Sequence, residues 1–266
     1  MGGDYVSPAS FPIKPQFSGD HAARAKRRAT RASNLSLDDQ DRRRIVVSYT
    51  SIGRQFYLFD RATKQQTLLG ENANMKLAES LASVKPIMFQ SRDGLTLHGY
   101  LMLPTGAAPK NLPTVLLVHG GPWFRDRWEV DHYTDTLAQF LANRGYAVAQ
   151  INYRGSAGYG RAFMEAVIGE FGGKIQNDLL DTVQWLVGQG FTDSQHIVIM
   201  GRSFGGYVTL AGLAFTPDIF TCGVSIVGLS DLTTLRVRLA SKIDHIFTLA
   251  GSVASGSPLC LSSISR

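Results

Sequence analysis

Apolar positions change rhythm along this 266-residue chain, and the changes divide it. From residue 45 the pattern is one of short extended runs: Ile45-Val-Val-Ser-Tyr49, then Gln55-Phe-Tyr-Leu-Phe59, a polar turn over residues 60–64, and Thr67-Leu-Leu69. These predict a β-hairpin segment within residues 45–85. Further on, residues 112–120, 146–153, 196–200 and 222–227 are short apolar runs suited to strands buried on both faces, hence to a parallel sheet. Between them, residues 133–143 place Leu137, Phe140 and Leu141 on one helical face and end near Gly145; Leu179, Leu180, Val183, Leu186 and Val187 form a second stripe. Strands alternating with crossover helices predict an α/β fold, a mostly parallel sheet with helices on both faces. Asp178 and Asp181 are expected in the first turn of the second helix, where a carboxylate meets the positive end of the dipole, and so to cap rather than to catalyse.

The sharpest local signal is Gly201-Arg-Ser-Phe-Gly-Gly206, directly behind the apolar run His196-Ile-Val-Ile-Met200. A strand that turns abruptly into a helix holds its serine in a strained conformation and leaves no room for neighbouring side chains, which explains Gly201 and Gly205. Tyr207, Leu210, Ala211 and Ala214 follow at helical spacing until Pro217. Ser203 is therefore the candidate nucleophile. A second segment, Leu116-Leu-Val-His-Gly-Gly-Pro-Trp123, ends a buried run in two glycines and a proline. Hydrolases with a serine elbow draw oxyanion-hole donors from such a loop and from the residue after the nucleophile, so the backbone N–H groups of Gly121 and Phe204 are the candidates.

Residues 86–235 resemble the catalytic domain of the prolyl oligopeptidase family of serine peptidases, in its dipeptidyl-peptidase and acylaminoacyl-peptidase branch. The likeness rests on Ser91-Arg-Asp-Gly-Leu95, His119-Gly-Gly-Pro-Trp123, Asn152-Tyr-Arg-Gly-Ser-Ala-Gly-Tyr-Gly160, Asp178-Leu-Leu-Asp181 with Trp185, and Gly201-Arg-Ser-Phe-Gly-Gly-Tyr207. It implies an α/β-hydrolase fold and hydrolysis of short peptides through a serine acyl-enzyme, with no cofactor and no metal. The family's catalytic domain usually follows a whole β-propeller; residues 45–85 then correspond to about one blade and a linker.

Length and composition agree with one such domain. The chain is 44% hydrophobic and 18% charged, enough to bury a full core, and no run reaches the roughly 18 apolar residues of a membrane span. Neither a membrane nor a nucleic acid is expected as a partner, and the oligomeric state is open. Cys222 and Cys260 give neither a disulfide framework nor metal-ligand spacing. Most of the net charge of +6 is local, since residues 21–44 hold eight Lys/Arg against three Asp. Residues 1–44 read as a flexible basic N-terminal extension. Residues 22–33, Arg-rich and free of acids, also have the character of an organelle presequence, although Asp4 and Asp20 do not fit one. Val6 stands where a myristoylation signal needs Ser or Thr. The cytoplasm is the expected compartment.

The end of the chain conflicts with a complete triad. In α/β-hydrolases the order is Ser, Asp or Glu, then His. After Ser203 the chain holds one histidine, His245, and the acids Asp218, Asp231 and Asp244. Asp231 is expected to start a helix and His245 to lie on the surface beside Asp244, which leaves His245 only as a weak candidate base. From residue 236 the sequence departs from the family pattern, and residues 236–266 form an atypical Ser/Gly-rich tail, so the chain reads as truncated at both ends with C-terminal strands missing. Three readings stay open: a serine peptidase whose triad Asp and His are not identifiable here, an esterase or lipase-like acyl hydrolase, and a catalytically inactive fragment. Substrate-binding residues are not assigned.

Overall fold

The computed structural model describes residues 31–40, 42–49, 53–71, 80–128 and 133–231. Four strands, β1 (Arg31–Leu37), β2 (Arg43–Tyr49), β3 (Arg54–Asp60) and β4 (Gln66–Glu71), pair antiparallel in sequence order. The predicted hairpin is thus three of four strands. β1 and the start of β2 correct the assignment to a flexible extension over residues 31–44 alone, residues 1–30 lying outside the described ones; the order of Arg31–Leu37 comes from pairing with β2, Arg31 opposite Tyr49 and Leu37 opposite Arg44. The turn between β3 and β4 is set by Asp60, whose Oδ1 accepts from the N–H groups of Ala62 and Thr63 at 2.9 and 3.0 Å.

Among the described residues the second sheet has six strands in the order β10-β9-β7-β8-β6-β5. They are β5 (Val84–Gln90), β6 (Thr96–Met102), β7 (Leu112–Val118), β8 (Ala147–Asn152), β9 (Thr192–Arg202) and β10 (Cys222–Ile226). The four predicted strands are the parallel ones, β8, β7, β9 and β10. The sequence reading left out β5 and β6, an antiparallel hairpin that joins the sheet through β8. β5 also begins two residues before the start assigned to the hydrolase domain. β10 forms the edge among the described residues, with Cys222 and Val224 exposed. The tail from residue 236, His245 included, lies outside the described residues.

Among the described residues four helices flank the sheet: α1 (Tyr133–Ala142), α2 (Arg161–Glu165), α3 (Lys174–Gly188) and α4 (Phe204–Phe215). Alternation along the strands sorts them between faces. Leu116, Val118, Ala149 and Ile151 pack with Leu179, Val183 and Leu186 of α3 and Tyr207, Val208 and Ala211 of α4. Leu117 and Val148 point the other way, against Ala138 and Ala142 of α1. The stripe predicted for α1 holds at Leu137 and Leu141, which are partly buried against this cluster, and is corrected at Phe140. Phe140 is exposed beneath the guanidinium of Arg144, and the fully buried apolar positions are Ala138 and Ala142, which let the helix sit close to the sheet. Gln139 joins them through a two-way amide tie to the N–H and C=O of Ala82, both at 2.9 Å.

Asp178 and Asp181 do not cap α3. The helix starts at Lys174, with no acid in its first turn, so both carboxylates lie further along it. Asp178 is fully buried and takes a forked pair of bonds from Arg154, Nη2 at 2.7 Å and Nε at 2.9 Å, with the Arg154 N–H at 2.9 Å. Arg154 also reaches both carboxylate oxygens of Asp93 at 3.0 Å. Asp181 Oδ2 accepts from Arg92 N and its Oδ1 from Arg92 Nε, both at 2.8 Å. Burial pushes the Asp178 carboxyl up, opposed by its Arg154 bonds; the more open Asp93 is held well below the usual carboxylate range by Arg154 and Ser91. These pairs fasten the turn after β5 and the start of the Asn152–Gly160 loop to α3. Asp178→Ala leaves a buried guanidinium only partly compensated and is expected to cost about 3 kcal/mol or more in urea unfolding.

Candidate active site

β7 is the strand at which the parallel order reverses, β8 lying on one side and β9 on the other. In open α/β sheets ligands bind beyond the carboxyl ends of the strands at such a point. The register aligns those ends, Val118 opposite Gly201, so the loop beginning at His119 and the turn containing Ser203 emerge side by side.

Ser203 has φ 57° and ψ −117°, left-handed backbone that is costly for a residue with a side chain, on the order of 1–3 kcal/mol. Its N–H is bonded to Ile226 O at 2.9 Å and its carbonyl starts α4 by accepting from Tyr207 N. A Cβ on Gly201 would run into the backbone of Gly205, and one on Gly205 into the carbonyl oxygens of Val118 and His119. The elbow thus rests backbone to backbone on the end of β7. Gly120 lies against the turn from the other side, where a Cβ would stand 2.9 Å from Arg202 O and 3.5 Å from the Cβ of Ser203. Phe204 is buried at the first position of α4, where backbone N–H groups have no helical acceptor. Gly121 turns back with φ 51°, and its carbonyl accepts from Phe124 N at 2.9 Å.

His119 is buried. Its Nε2 lies 2.9 Å from Ser156 Oγ and its Nδ1 3.0 Å from Gly120 O, while the ring stacks on Tyr153 at 4.4 Å. In the tautomer protonated at Nδ1 the ring donates to the Gly120 carbonyl. The Gly120–Gly121 peptide is trans, so a carbonyl turned onto the ring turns the Gly121 N–H away from it. Burial lowers the His119 pKa to about 4, which keeps the ring neutral at pH 7.

β8 fixes the far end of the same loop. Its sequence Ala147-Val-Ala-Gln-Ile-Asn152 buries two amides completely, Gln150 and Asn152. Asn152 Oδ1 accepts from Asp126 N at 2.8 Å and Asn152 Nδ2 donates to Asp126 O at 3.1 Å, as a neighbouring strand would. Asn152 Nδ2 also lies 2.8 Å from Tyr159 OH, and the Tyr159 ring is sandwiched between His98 and the guanidinium of Arg125. The roles of His119, Asp126, Gln150, Asn152 and Ser156 were not assigned from sequence. The available signal was two amides in an otherwise apolar buried strand, which have to find polar partners.

Among the described residues three histidines are engaged away from Ser203: His98 on Tyr159, His119 on Ser156 and Gly120, and His196 on Asp193 at 2.6 Å. His245 and Asp244 lie outside the described residues; Asp231 is described, but the helix expected to follow it is not. No helix among the described residues is long and apolar enough to cross a membrane.

A serine on a strained strand-to-helix turn, beside a glycine loop at the carboxyl ends of parallel strands, is the arrangement of the α/β-hydrolase fold. Residues 132–247 match the model of the prolyl oligopeptidase family, and the chain carries a domain of that family of serine peptidases. It is 45% identical over 209 residues to dipeptidyl aminopeptidase BIII of Pseudoxanthomonas mexicana, covering 75% of this chain and 29% of that protein. It is 32% identical over 257 residues to dipeptidyl peptidase family member 6 of Caenorhabditis elegans, covering 87% and 34%. The acylaminoacyl peptidase structure of Pyrococcus horikoshii superposes with a TM-score of 0.60 at 27% identity, covering 74% of this chain and 31% of that one. The chain thus spans about a third of the length of the relatives it matches.

Two outcomes follow from this geometry. Gly205→Ala forces a side chain into the backbone of β7 and is expected to cost about 3 kcal/mol or more, whereas Gly188→Ala, with open space around it at the end of α3, gains up to about 1 kcal/mol; urea midpoints separate them. His119 binds a proton near pH 6.5 when unfolded but only near pH 4 when folded, so its contribution is present above the unfolded value and lost as pH falls. Between pH 7 and pH 5 this one group should remove about 2 kcal/mol of unfolding free energy, and His119→Gln should abolish that part of the pH dependence.

Proposed function

We propose that this domain hydrolyses peptide bonds of short peptides through an acyl-enzyme on Ser203. The elbow at Ser203 carries the proposal: left-handed backbone that holds the side chain at the mouth of the sheet, beside Gly120. Ser203 Oγ attacks the scissile carbonyl carbon, its proton passing to a base, and the developing oxyanion is received by the N–H groups of Gly121 and Phe204. Each such donor is worth about 3 to 4 kcal/mol to the transition state, provided it is fixed beforehand. The tie between His119 and Gly120 and the clasp of Asn152 on Asp126 supply that fixity on the loop side. Collapse of the tetrahedral intermediate expels the amine, which takes the proton back, and water then releases the acyl group by the same route in reverse.

The base and its acid partner are assigned to residues outside those described. His245 is the candidate within this chain; a longer form of the protein is the other source. Without a base, a serine of this kind loses on the order of 10⁶ in kcat, so the distinction decides whether the 266-residue chain turns over at all. The peptide preference is supported by the similar proteins, which are named as a dipeptidyl aminopeptidase and an acylaminoacyl peptidase. An ester-selective hydrolase would share the elbow and the glycine loop, and a p-nitrophenyl ester tested against a dipeptide anilide separates the two.

Fluorophosphonate labelling of the folded chain tests the nucleophile. Labelling that disappears in Ser203→Ala, with circular dichroism unchanged, is the expected result for a chain that holds its base, and His245→Ala should then slow it at least a hundredfold. A folded chain that does not label places the chemistry in a longer form.

A further inference from the structure

Two buried polar atoms near the glycine loop have no hydrogen-bond partner, Asp126 Oδ2 and Gln150 Oε1. They belong to a pair already joined on its other side, where Gln150 Nε2 donates to Asp126 Oδ1 at 3.2 Å. Each of these buried oxygens is left with an unmet hydrogen bond, although the side chains that carry them are bonded to each other. A single proton on Oδ2 satisfies both, because a carboxylic acid and a primary amide then close a ring of two hydrogen bonds. The surrounding charge agrees. Gln150 Nε2 also points to Asp135 Oδ1 of α1 at 3.5 Å, so two ionised carboxylates would otherwise share one amide group.

We infer that Asp126 is carried as a neutral carboxylic acid whose Oδ2–H donates to Gln150 Oε1, and that this acid–amide ring makes Asp126 a positioning residue for the loop bearing Gly121. The inference rests on the oxyanion role proposed above for that loop. Asp126 ends the segment that starts at His119. Its backbone is clasped by Asn152 and its side chain by Gln150, two residues apart and on the α1 face of β8. The segment is thereby fixed at both ends, at His119 by Ser156 and at Asp126 by β8. Ionising Asp126 breaks the Oδ2 bond and sets a buried charge against Asp135, with a direct effect on the loop. The other groups that bear on it are Arg125 from the loop itself and Tyr153 and Tyr159 from the segment after β8. Burial and Asp135 push the Asp126 carboxyl well up, while Gln150 and Arg125 oppose them.

The test compares the 266-residue chain with its Asp126→Asn and Asp126→Leu variants. Asparagine reproduces the protonated ring, since its Nδ2–H donates to Gln150 Oε1 and its Oδ1 accepts from Gln150 Nε2; leucine removes both bonds. A carboxyl whose pKa is higher folded than unfolded stabilises fully below the unfolded value, near 4, and loses that contribution as pH rises toward the folded value. The parent is therefore expected to lose about tenfold in its folding constant per pH unit, relative to Asp126→Asn, from about pH 4 upward until Asp126 ionises. The infrared carbonyl band of a protonated carboxyl should be present in the parent at neutral pH and missing in Asp126→Asn. Hydrogen exchange of peptides covering residues 119–128 should be unchanged in Asp126→Asn and faster in Asp126→Leu. The inference is overturned if parent and Asp126→Asn share one pH dependence, or if Asp126→Asn exchanges as fast as Asp126→Leu. None of these readouts requires turnover, so failure of fluorophosphonate labelling would count against the proposed function and leave this test intact.

Discussion

The contact on which the site depends is between main chains. Gly205 presses on the carbonyls of Val118 and His119, Gly201 presses on Gly205, and Gly120 closes on Arg202 and Ser203. These approaches are too close for any Cβ, so the turn at Ser203 and the glycine loop are parts of one packed unit. The register that puts Val118 opposite Gly201 supplies the alignment. Hydrophobic burial from α3 and α4 on one face and α1 on the other then holds the strands in that register. A strained Ser203 persists because so much of its surroundings is fixed independently of it.

Around this apolar and backbone frame the protein uses a small number of fully buried polar ties, each with a different task. Gln139 fastens α1 to Ala82, Asn152 fastens the glycine loop to β8, and Arg154 fastens the loop after β8 to α3 through Asp178. Ties of this kind add little net stability, but breaking one leaves a buried group unsatisfied, so they define where a loop must sit more than how firmly the domain is folded. That distinction matters in a hydrolase. Donors aimed at an oxyanion stabilise the transition state only if they need no reorganisation when charge develops.

Much of this was legible in the residues. The elbow, its flanking strand and helix, and the four parallel strands follow from apolar runs, helical spacing and glycines at fixed offsets, all of which are local. What was misread concerned partners distant in sequence. Asp178 and Asp181 looked like caps because a carboxylate near a helix start is a common local arrangement; Arg154 and Arg92 claim them from 24 and 89 residues away. Phe140 looked like core because it shares a face with Leu137 and Leu141, yet alanines make the close contact and Arg144 covers the ring. β1 was invisible because its ordering comes from β2 rather than from its own composition.

The sequence by itself determined the strand-to-helix turn at Ser203 and the class of fold, because a tight turn of that kind and a buried parallel strand each impose residue types on the segment that forms them. Only the tertiary structure decided which buried polar groups meet. His119 with Ser156, Asn152 with Asp126, and Asp126 with Gln150 are pairings between segments distant in the chain. The demand that a buried polar atom be satisfied fixes that a partner must exist, and the packing of the whole domain fixes which one it is.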